Sequence, residues 1–267
     1  MVEMEKYIFN YGEEVTVCMF PCLRDNYGFL VHNHNTNTTA CIDTPDSKRI
    51  IEAAKELNWS IDMILNTHHH ADHAGGNLEV KDFFDCKVFG FHSDVNRIPG
   101  IDCQVGHHET FLFGDIPVRV MHTPGHTLGH IVYLFEQHKI AFVGDTLFSL
   151  GCGKVFEGTY EQMWNSLVAI RNLDQDFMLY CGHEYTESNA KFALHIDPEN
   201  IELSRRAFEV IALRKRGMPT IPIKLSDEKK ANPFLGLNFS QIAENIGENS
   251  SDPVKIFAQI RQLKDTF

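Results

Sequence analysis

The sequence lacks the features that would place the chain in a membrane or on nucleic acid. None of its apolar runs reaches the roughly 18 residues that cross a bilayer, and its first residues lack the basic and then apolar order of a signal peptide. It has 24 lysines and arginines against 36 aspartates and glutamates, a formal net charge of -12. This charge disfavours nonspecific binding to nucleic acid or anionic membranes. We therefore expect a cytoplasmic protein in which any anionic ligand meets a local basic cluster.

Two further kinds of site are missing from the sequence. Its seven cysteines are odd in number and scattered, with no Cys-x-x-Cys pair, so we expect reduced thiols and no structural disulfide. The glycine-rich stretch 151–158 lacks the Gly-Lys-Ser/Thr ending of a phosphate-binding loop. We interpret this stretch as an irregular loop that carries one cation, Lys154.

The order of the predicted elements favours an α+β fold. Hydrophobic residues make up 43% of the sequence, which is enough material for one large domain and a smaller one. Up to about residue 186, short runs rich in Val, Ile and Phe alternate with turns and helical segments, whereas the rest reads mainly as helices. We predict a catalytic domain over residues 1–186 and a helical domain over residues 187–267.

The stretch 67–77 contains four potential metal ligands, His68, His70, Asp72 and His73. It follows an apolar run that predicts a short buried strand, so the loop starts from a fixed edge. His68 and His70 alternate along an extended chain and face the same way, whereas Asp72 and His73 come after the chain has begun to turn. Imidazole and carboxylate ligands suit borderline metals such as zinc. A solvated histidine run or tag is the alternative, but a tag would be terminal and would not precede Gly-Gly.

Three more candidates, His126, Asp145 and His183, stand directly after predicted strands. A carboxylate at a strand end can bridge two metals with its two oxygens, which makes Asp145 the bridging candidate. A turn aspartate that caps the local backbone is the alternative. His130 reads instead as a core histidine or one that supports a ligand. One metal would take His68, His70 and His126, the other Asp72, His73 and His183, with Asp145 between them.

These motifs resemble a known superfamily. His68-His69-His70-Ala71-Asp72-His73 is similar to the HxHxDH loop of the metallo-β-lactamase superfamily, and His126, Asp145 and His183 complete its binuclear ligand set in the same order. Within it, the chain resembles the glyoxalase II (hydroxyacylglutathione hydrolase) family in the stretches 151–154, 181–186, 232–234 and 261–265. The resemblance implies an αββα sandwich that carries the metals and a C-terminal helical domain that helps to hold glutathione. It also implies two divalent metal ions per chain, with zinc favoured and iron or manganese as alternatives.

The resemblance further implies hydrolysis of the thioester S-D-lactoylglutathione to glutathione and D-lactate by a metal-bound hydroxide, the second step of methylglyoxal detoxification. Asp72 and Asp145 would serve catalysis as metal ligands, Asp72 rather as a ligand than as a free base. The implied glutathione contacts are Lys154, Tyr185, Arg261 and Lys264. Where the family commonly has a tyrosine two residues after this lysine, the chain has Phe156, which offers no hydroxyl.

Other functions remain as alternatives at this point. Arg261 and Lys264 also complement the dipole of the final predicted helix, so a solvated basic helix end competes with a glutathione role. A persulfide dioxygenase of the same superfamily, with one iron, is the alternative enzyme, although Asp72, His73 and His183 favour two metals. The complete ligand set argues against a noncatalytic binding module, and the acidic charge argues against a nucleic-acid-processing hydrolase. We expect a monomer that acts on a small glutathione thioester.

Overall fold

The computed structural model describes residues 5–267, which form two compact units. The first unit contains the described chain up to His122 together with Gly129–Gly144, and the second contains Thr123–Leu128 and Asp145–Phe267. Both units combine strands with helices, which confirms the predicted α+β class. Across residues 5–267, no helix has the length and apolar character needed to span a bilayer. The predicted domain division after residue 186 stays a prediction.

Strands dominate the first unit. They are β1 (Tyr7–Tyr11), β2 (Val15–Cys22), β3 (Asn26–Asn33), β4 (Thr38–Ile42), β5 (Met63–Leu65), β6 (Lys87–Phe91), β7 (Ile101–Val105), β8 (Thr110–Phe113), β9 (Ile116–His122), β10 (Ile131–Phe135) and β11 (Ile140–Gly144). Strands β1 to β7 form one sheet in chain order, antiparallel as far as β4 and parallel from β4 onwards. Strands β8 to β11 are antiparallel neighbours, and the hairpin β8–β9 turns at Gly114, which has a φ of +62°.

Aromatic side chains join the two sheets of the first unit. Phe29 of β3 meets Phe142 of β11 edge to face, with ring centroids 5.5 Å apart. Phe89 of β6 lies 4.9 Å from Phe111 of β8. Pairs of this kind add specific contacts to the apolar area that the sheets bury. These rings therefore pack the two sheets of the first unit against each other.

Helices cover the β1–β7 sheet of the first unit. Helix α1 (Ser47–Leu57) is capped by Asp46, whose side chain accepts a hydrogen bond from the Arg49 backbone N–H. Its buried face joins a core cluster with residues of β2 to β6. The one-turn helix α2 (Ala71–Ala74) and helix α3 (Asn77–Phe84) follow β5. Helix α2 is the predicted turn that carries Asp72 and His73 away from the extended part of the loop.

The second unit is mainly helical. Its elements are β12 (Leu147–Phe148), β13 (Gly151–Cys152), α4 (Tyr160–Arg171), β14 (Met178–Cys181), α5 (Thr186–Ile196), α6 (Ile201–Lys215), β15 (Ile223–Lys224), α7 (Leu225–Ala231), α8 (Phe239–Ile246) and α9 (Pro253–Thr266). The capping box of Thr159 and Gln162 opens α4, and Asp252 caps α9. The expectation that the glycine-rich stretch is wholly irregular is wrong, because Gly151 and Cys152 pair with β12.

All seven cysteines are free thiols. Six of them are buried, and Cys103 is partly exposed. Burial raises the pKa of Cys22 to about 12 and that of Cys152 to about 11. Thiols with such raised pKa values are poor nucleophiles at neutral pH, since the thiolate is the reactive form.

Candidate metal centre

The histidine loop is tied to the second sheet of the first unit on its way out of β5. The Ile131 N–H donates to the Thr67 carbonyl at 2.9 Å, and the Tyr133 hydroxyl donates to the Asn66 carbonyl at 2.9 Å. His68 Nε2 then lies 3.0 Å from His70 Nδ1, with the two rings inclined at 77°. The loop therefore brings two imidazole nitrogens to one small volume, as their alternation along the chain indicates.

Asp43, the residue after β4, organises the same loop. Its Oδ1 accepts from the Thr67 N–H at 2.7 Å, and its Oδ2 accepts from the Thr67 hydroxyl at 2.7 Å and from His73 Nδ1 at 2.8 Å. Because a carboxylate only accepts hydrogen bonds, His73 Nδ1 carries the proton and Nε2 keeps its lone pair. Sequence reasoning missed Asp43, although it stands after a strand like the chosen candidates.

Asn26 orients the carboxylate of the loop. Its Nδ2 donates to Asp72 Oδ2 at 3.2 Å and to the Asp72 carbonyl at 3.1 Å. The same carboxylate oxygen lies 3.7 Å from His73 Nε2. Asn26 follows the turn after β2. From the sequence alone, this turn is as consistent with an ordinary connection as with a part of the site. The bonds of Asn26 to Asp72 give this turn a part in positioning a candidate ligand.

The second unit supplies a carboxylate between two histidines. Asp145 Oδ2 lies 3.5 Å from His126 Nε2 and 3.3 Å from His183 Nε2. His126 Nδ1 donates to the Lys154 carbonyl at 2.8 Å, so this ring too is held with Nε2 unprotonated. All three side chains are buried, with no residue more than 5% exposed. A buried carboxylate facing imidazole nitrogens is a donor arrangement suited to a cation.

Each unit carries side chains whose donor atoms can bind a metal ion. They are His68, His70, Asp72 and His73 in the first unit, and His126, Asp145 and His183 in the second. Imidazole nitrogens and carboxylate oxygens are the donors that divalent ions of borderline softness accept. The tautomers fixed at His73 and His126 leave the facing nitrogens unprotonated, so the residues present fit divalent metals.

A close backbone approach holds the loop that follows β13. A Cβ on Gly153 would lie 1.9 Å from the Asp145 carbonyl oxygen and 3.3 Å from His126 Nδ1, so only glycine fits there. The next residue, Lys154, is exposed and places its Nζ 5.6 Å from the centroid of the Phe156 ring. Phe156 is 61% exposed and meets the His126 ring edge to face at 5.3 Å. The loop thus presents one cation and one aromatic ring beside a candidate ligand.

The remaining candidates for glutathione contact differ in exposure. Tyr185 is 36% exposed and stacks on the His183 ring, with centroids 4.7 Å apart and 5° between the planes. Arg261 is buried and donates to the Cys152 carbonyl at 2.9 Å and to Asp265 at 3.1 Å. Lys264 approaches the Ser188 carbonyl at 3.4 Å, and burial lowers the pKa of its ammonium. Arg261 therefore braces the glycine-rich loop that carries Lys154.

Glu228 on α7 is a buried carboxylate that sequence reasoning missed. It accepts hydrogen bonds from the Ser149 hydroxyl at 2.8 Å and from the Leu150 N–H at 2.9 Å. Asn232 Nδ2 also donates to it at 2.8 Å and bonds the Phe148 and Gly151 carbonyls. These bonds fix the segment between Asp145 and Lys154. Burial nevertheless raises the pKa of Glu228, outweighing the three donors that lower it.

Replacing Glu228 by Gln should make stability less dependent on pH. Since the folded state binds this proton more tightly than the unfolded state, its stabilising effect is complete below the unfolded pKa and is lost as the pH rises through the folded pKa. The urea midpoint of Glu228→Gln, relative to the native chain, should therefore improve from pH 5 to pH 8. The exposed Glu161→Gln serves as a control. An equal difference at both pH values would contradict this assignment.

Comparisons with known proteins agree on one family. A family model described as "Metallo-beta-lactamase superfamily" matches residues 37–183, and one described as "Hydroxyacylglutathione hydrolase C-terminus" matches residues 184–267. A hydroxyacylglutathione hydrolase from Maricaulis maris is 47% identical over 254 residues, covering 95% of this chain and 99% of the relative. One from Rhodospirillum rubrum is 48% identical over 245 residues, covering 92% of this chain and 96% of the relative.

Solved structures share the fold at lower identity. ETHE1 from Myxococcus xanthus superposes with a TM-score of 0.61 at 23% identity, covering 92% of this chain and 99% of that chain. A metallo-beta-lactamase from Pontibacter korlensis superposes with a TM-score of 0.54 at 16% identity, covering 67% of this chain and 91% of that chain. The metallo-β-lactamase fold, with a helical C-terminal region, is therefore the fold of this protein.

Proposed function

The chain belongs to the hydroxyacylglutathione hydrolase (glyoxalase II) family of the metallo-β-lactamase superfamily and is a thioester hydrolase, and from this premise we propose that it cleaves S-D-lactoylglutathione at two divalent metal ions. The observation that carries the proposal is the match of its last third to the hydroxyacylglutathione hydrolase C-terminus. The fold alone would leave other hydrolases and an oxygenase open. The cytoplasmic location and the monomeric state stay predictions.

The proposal gives one ion the ligands His68, His70 and His126 and the other Asp72, His73 and His183, with Asp145 shared by both. It is supported by the short distances between ligand atoms within each unit and by the two histidines whose remote nitrogens are already hydrogen-bonded. Zinc is the proposed metal, because imidazole and carboxylate donors suit it, and iron or manganese would suit them as well. Two such ions would bring a water to a pKa of about 7 and polarise the thioester carbonyl.

The remaining steps of the reaction need no strong general acid and no protein nucleophile. The leaving group is the glutathione thiolate, which departs without strong help from a general acid. Burial raises the pKa of both Cys152 and Cys181, so these thiols stay protonated and take no nucleophilic part. Asp72 is held by Asn26 beside His73 and serves as a ligand rather than as a mobile base.

We propose that local cations recognise glutathione, although the chain as a whole is acidic. Glutathione has two carboxylates, and the chain has a net charge of -12, so cations must be supplied locally. We propose Lys154, Tyr185, Arg261 and Lys264 as contacts, and Arg261 also holds the loop that carries Lys154. Phe156 would offer its ring alone, and the missing hydroxyl would cost about 0.5–1.5 kcal/mol of binding.

The test compares two thioesters on purified native protein with measured metal content. S-D-lactoylglutathione should turn over rapidly, as followed at the thioester absorbance, with about two metals per chain. N-acetyl-S-lactoylcysteamine, which lacks both carboxylates and has a blocked amine, should react much more slowly. Lys154→Ala should raise the KM for the glutathione thioester roughly tenfold, equivalent to about 1.4 kcal/mol, and leave the cysteamine thioester unaffected. Lys191→Ala removes a comparable exposed lysine and serves as the control.

Two outcomes would overturn the proposal. A fully metallated protein without activity on S-D-lactoylglutathione would exclude the proposed substrate. Oxygen uptake with glutathione persulfide, together with one iron per chain, would instead identify the alternative oxygenase.

A further inference from the structure

Glu184 stands between a proposed metal ligand and a proposed glutathione contact, yet belongs to neither set. The rings of His183 and Tyr185 stack on each other. The carboxylate of Glu184 bonds Thr220 instead and also lies 3.7 Å from Nη1 of Arg214, and its side chain is only 9% exposed. Glu184 Oε2 accepts from the Thr220 N–H at 2.9 Å, and Oε1 accepts from the Thr220 hydroxyl at 2.8 Å.

Thr220 connects this carboxylate to two helices of the second unit. Because the Thr220 hydroxyl donates to Glu184, it accepts from the Thr186 hydroxyl at the start of α5, 2.5 Å away. The Thr220 carbonyl accepts from an Nη of Arg206 on α6 at 2.6 Å. Thr220, Thr186 and Arg206 are all buried. The turn after β14 is thereby fixed to the starts of α5 and β15 and to the body of α6.

We infer that Glu184 is a positioning residue that holds His183 and Tyr185 through Thr220 and Arg206. The inference rests on the proposed function, since it takes His183 as a metal ligand and Tyr185 as a glutathione contact. Both bonds to Thr220 end on a carboxylate, and charge-assisted bonds of this kind are the stronger ones. Releasing them would let the turn shift, and a shift moves the ligand and the contact together. A residue with only a structural role would lower stability without selectively weakening zinc binding or raising the KM.

The primary test is Glu184→Ala in the full chain, loaded with zinc and then exposed to a chelator. We expect one of the two zinc ions to be bound several-fold more weakly, because Glu184 acts on His183 through the position of the turn rather than through a bond to its ring. The KM for S-D-lactoylglutathione should rise several-fold, more than kcat falls under saturating zinc. Glu187→Ala removes a carboxylate three residues away that pairs with Lys191 on the surface, and it should match the native chain in both measurements.

Further variants separate positioning from loss of stability. Thr220→Val keeps the N–H donor but removes the hydroxyl. It should therefore weaken zinc binding and raise the KM, in both cases by less than Glu184→Ala does. Glu184→Gln retains one acceptor and should recover part of the loss. Asn200→Ala removes the side chain that caps α6 without touching Glu184, and should lower the melting temperature alone.

The outcomes distinguish this inference from the proposed function. Native zinc affinity and native KM in Glu184→Ala would overturn the positioning role, as would equal losses in Asn200→Ala. If Glu184→Ala does not fold, Thr220→Val decides in the same way. Failure of the native chain to hydrolyse S-D-lactoylglutathione would instead reject the substrate, while the zinc measurements would still test the role of Glu184.

Discussion

Asp145→Ala is expected to remove most of the bound metal and to lower hydrolysis by at least about 1000-fold. Asp145 Oδ2 faces the Nε2 atoms of both His126 and His183 in the second unit, and its carboxylate is the proposed ligand shared by two ions. Without it, two cations would lose the anion that offsets their mutual repulsion, so both should bind more weakly. Metal content by mass spectrometry and turnover of S-D-lactoylglutathione, measured on one sample, give the result.

Two further variants sharpen the test of Asp145. Asp145→Asn keeps the shape and one acceptor oxygen but loses the charge, so it should retain part of the metal at raised zinc concentration. Asp176→Ala removes an exposed carboxylate that pairs with Lys224 and should behave as the native chain does. An Asp145→Ala protein that keeps both metals and full turnover would defeat the bridging assignment.

The sequence predicts the elements and candidates whose signals are local. Helix α4 begins with a capping box that Thr159 and Gln162 indicate by themselves. His68 and His70 are two residues apart and therefore face the same way along an extended chain. By contrast, α7 lacks a side-chain cap, and the edge strand β1 is half exposed along its length. Their formation depends on tertiary packing, which a propensity pattern does not contain.

The same limit explains which supporting residues were missed. The role of Asp43 follows from its bonds to Thr67 and His73, 24 and 30 positions further along the chain, and that of Glu228 from its bond to Ser149, 79 positions before it. In the sequence, each looks like an ordinary polar residue, and the neighbouring residues do not indicate its distant partner. The candidate ligands stand out because a metal site repeats one residue type at several strand ends, whereas a supporting carboxylate occurs once. Such support is therefore visible in the fold rather than in the motif.

Asp43→Asn is expected to weaken the binding of the ion proposed at His73 by about 10- to 100-fold, although the side chain hardly changes in shape. If the oxygen of the amide side chain in this variant takes the place of Oδ1, the N–H₂ group of that side chain faces His73 Nδ1. His73 Nδ1 must then accept a hydrogen bond instead of donating one. The imidazole proton moves to Nε2, the atom proposed to bind metal. If the amide is turned round, its N–H₂ group meets the Thr67 N–H, and a buried donor loses its acceptor. Either orientation disturbs the loop.

The tautomer itself provides the measurement. In metal-free protein, ¹⁵N shifts of the imidazole should show His73 protonated at Nδ1 in the native chain and at Nε2 in Asp43→Asn, alongside the weaker zinc binding. Asp46→Asn, at the start of α1, makes the same chemical change where asparagine caps a helix as well as aspartate does, and should alter neither quantity. Weaker zinc binding with the tautomer unchanged would point to the lost acceptor at Thr67. Native zinc binding in Asp43→Asn would show that the loop holds His73 without this carboxylate.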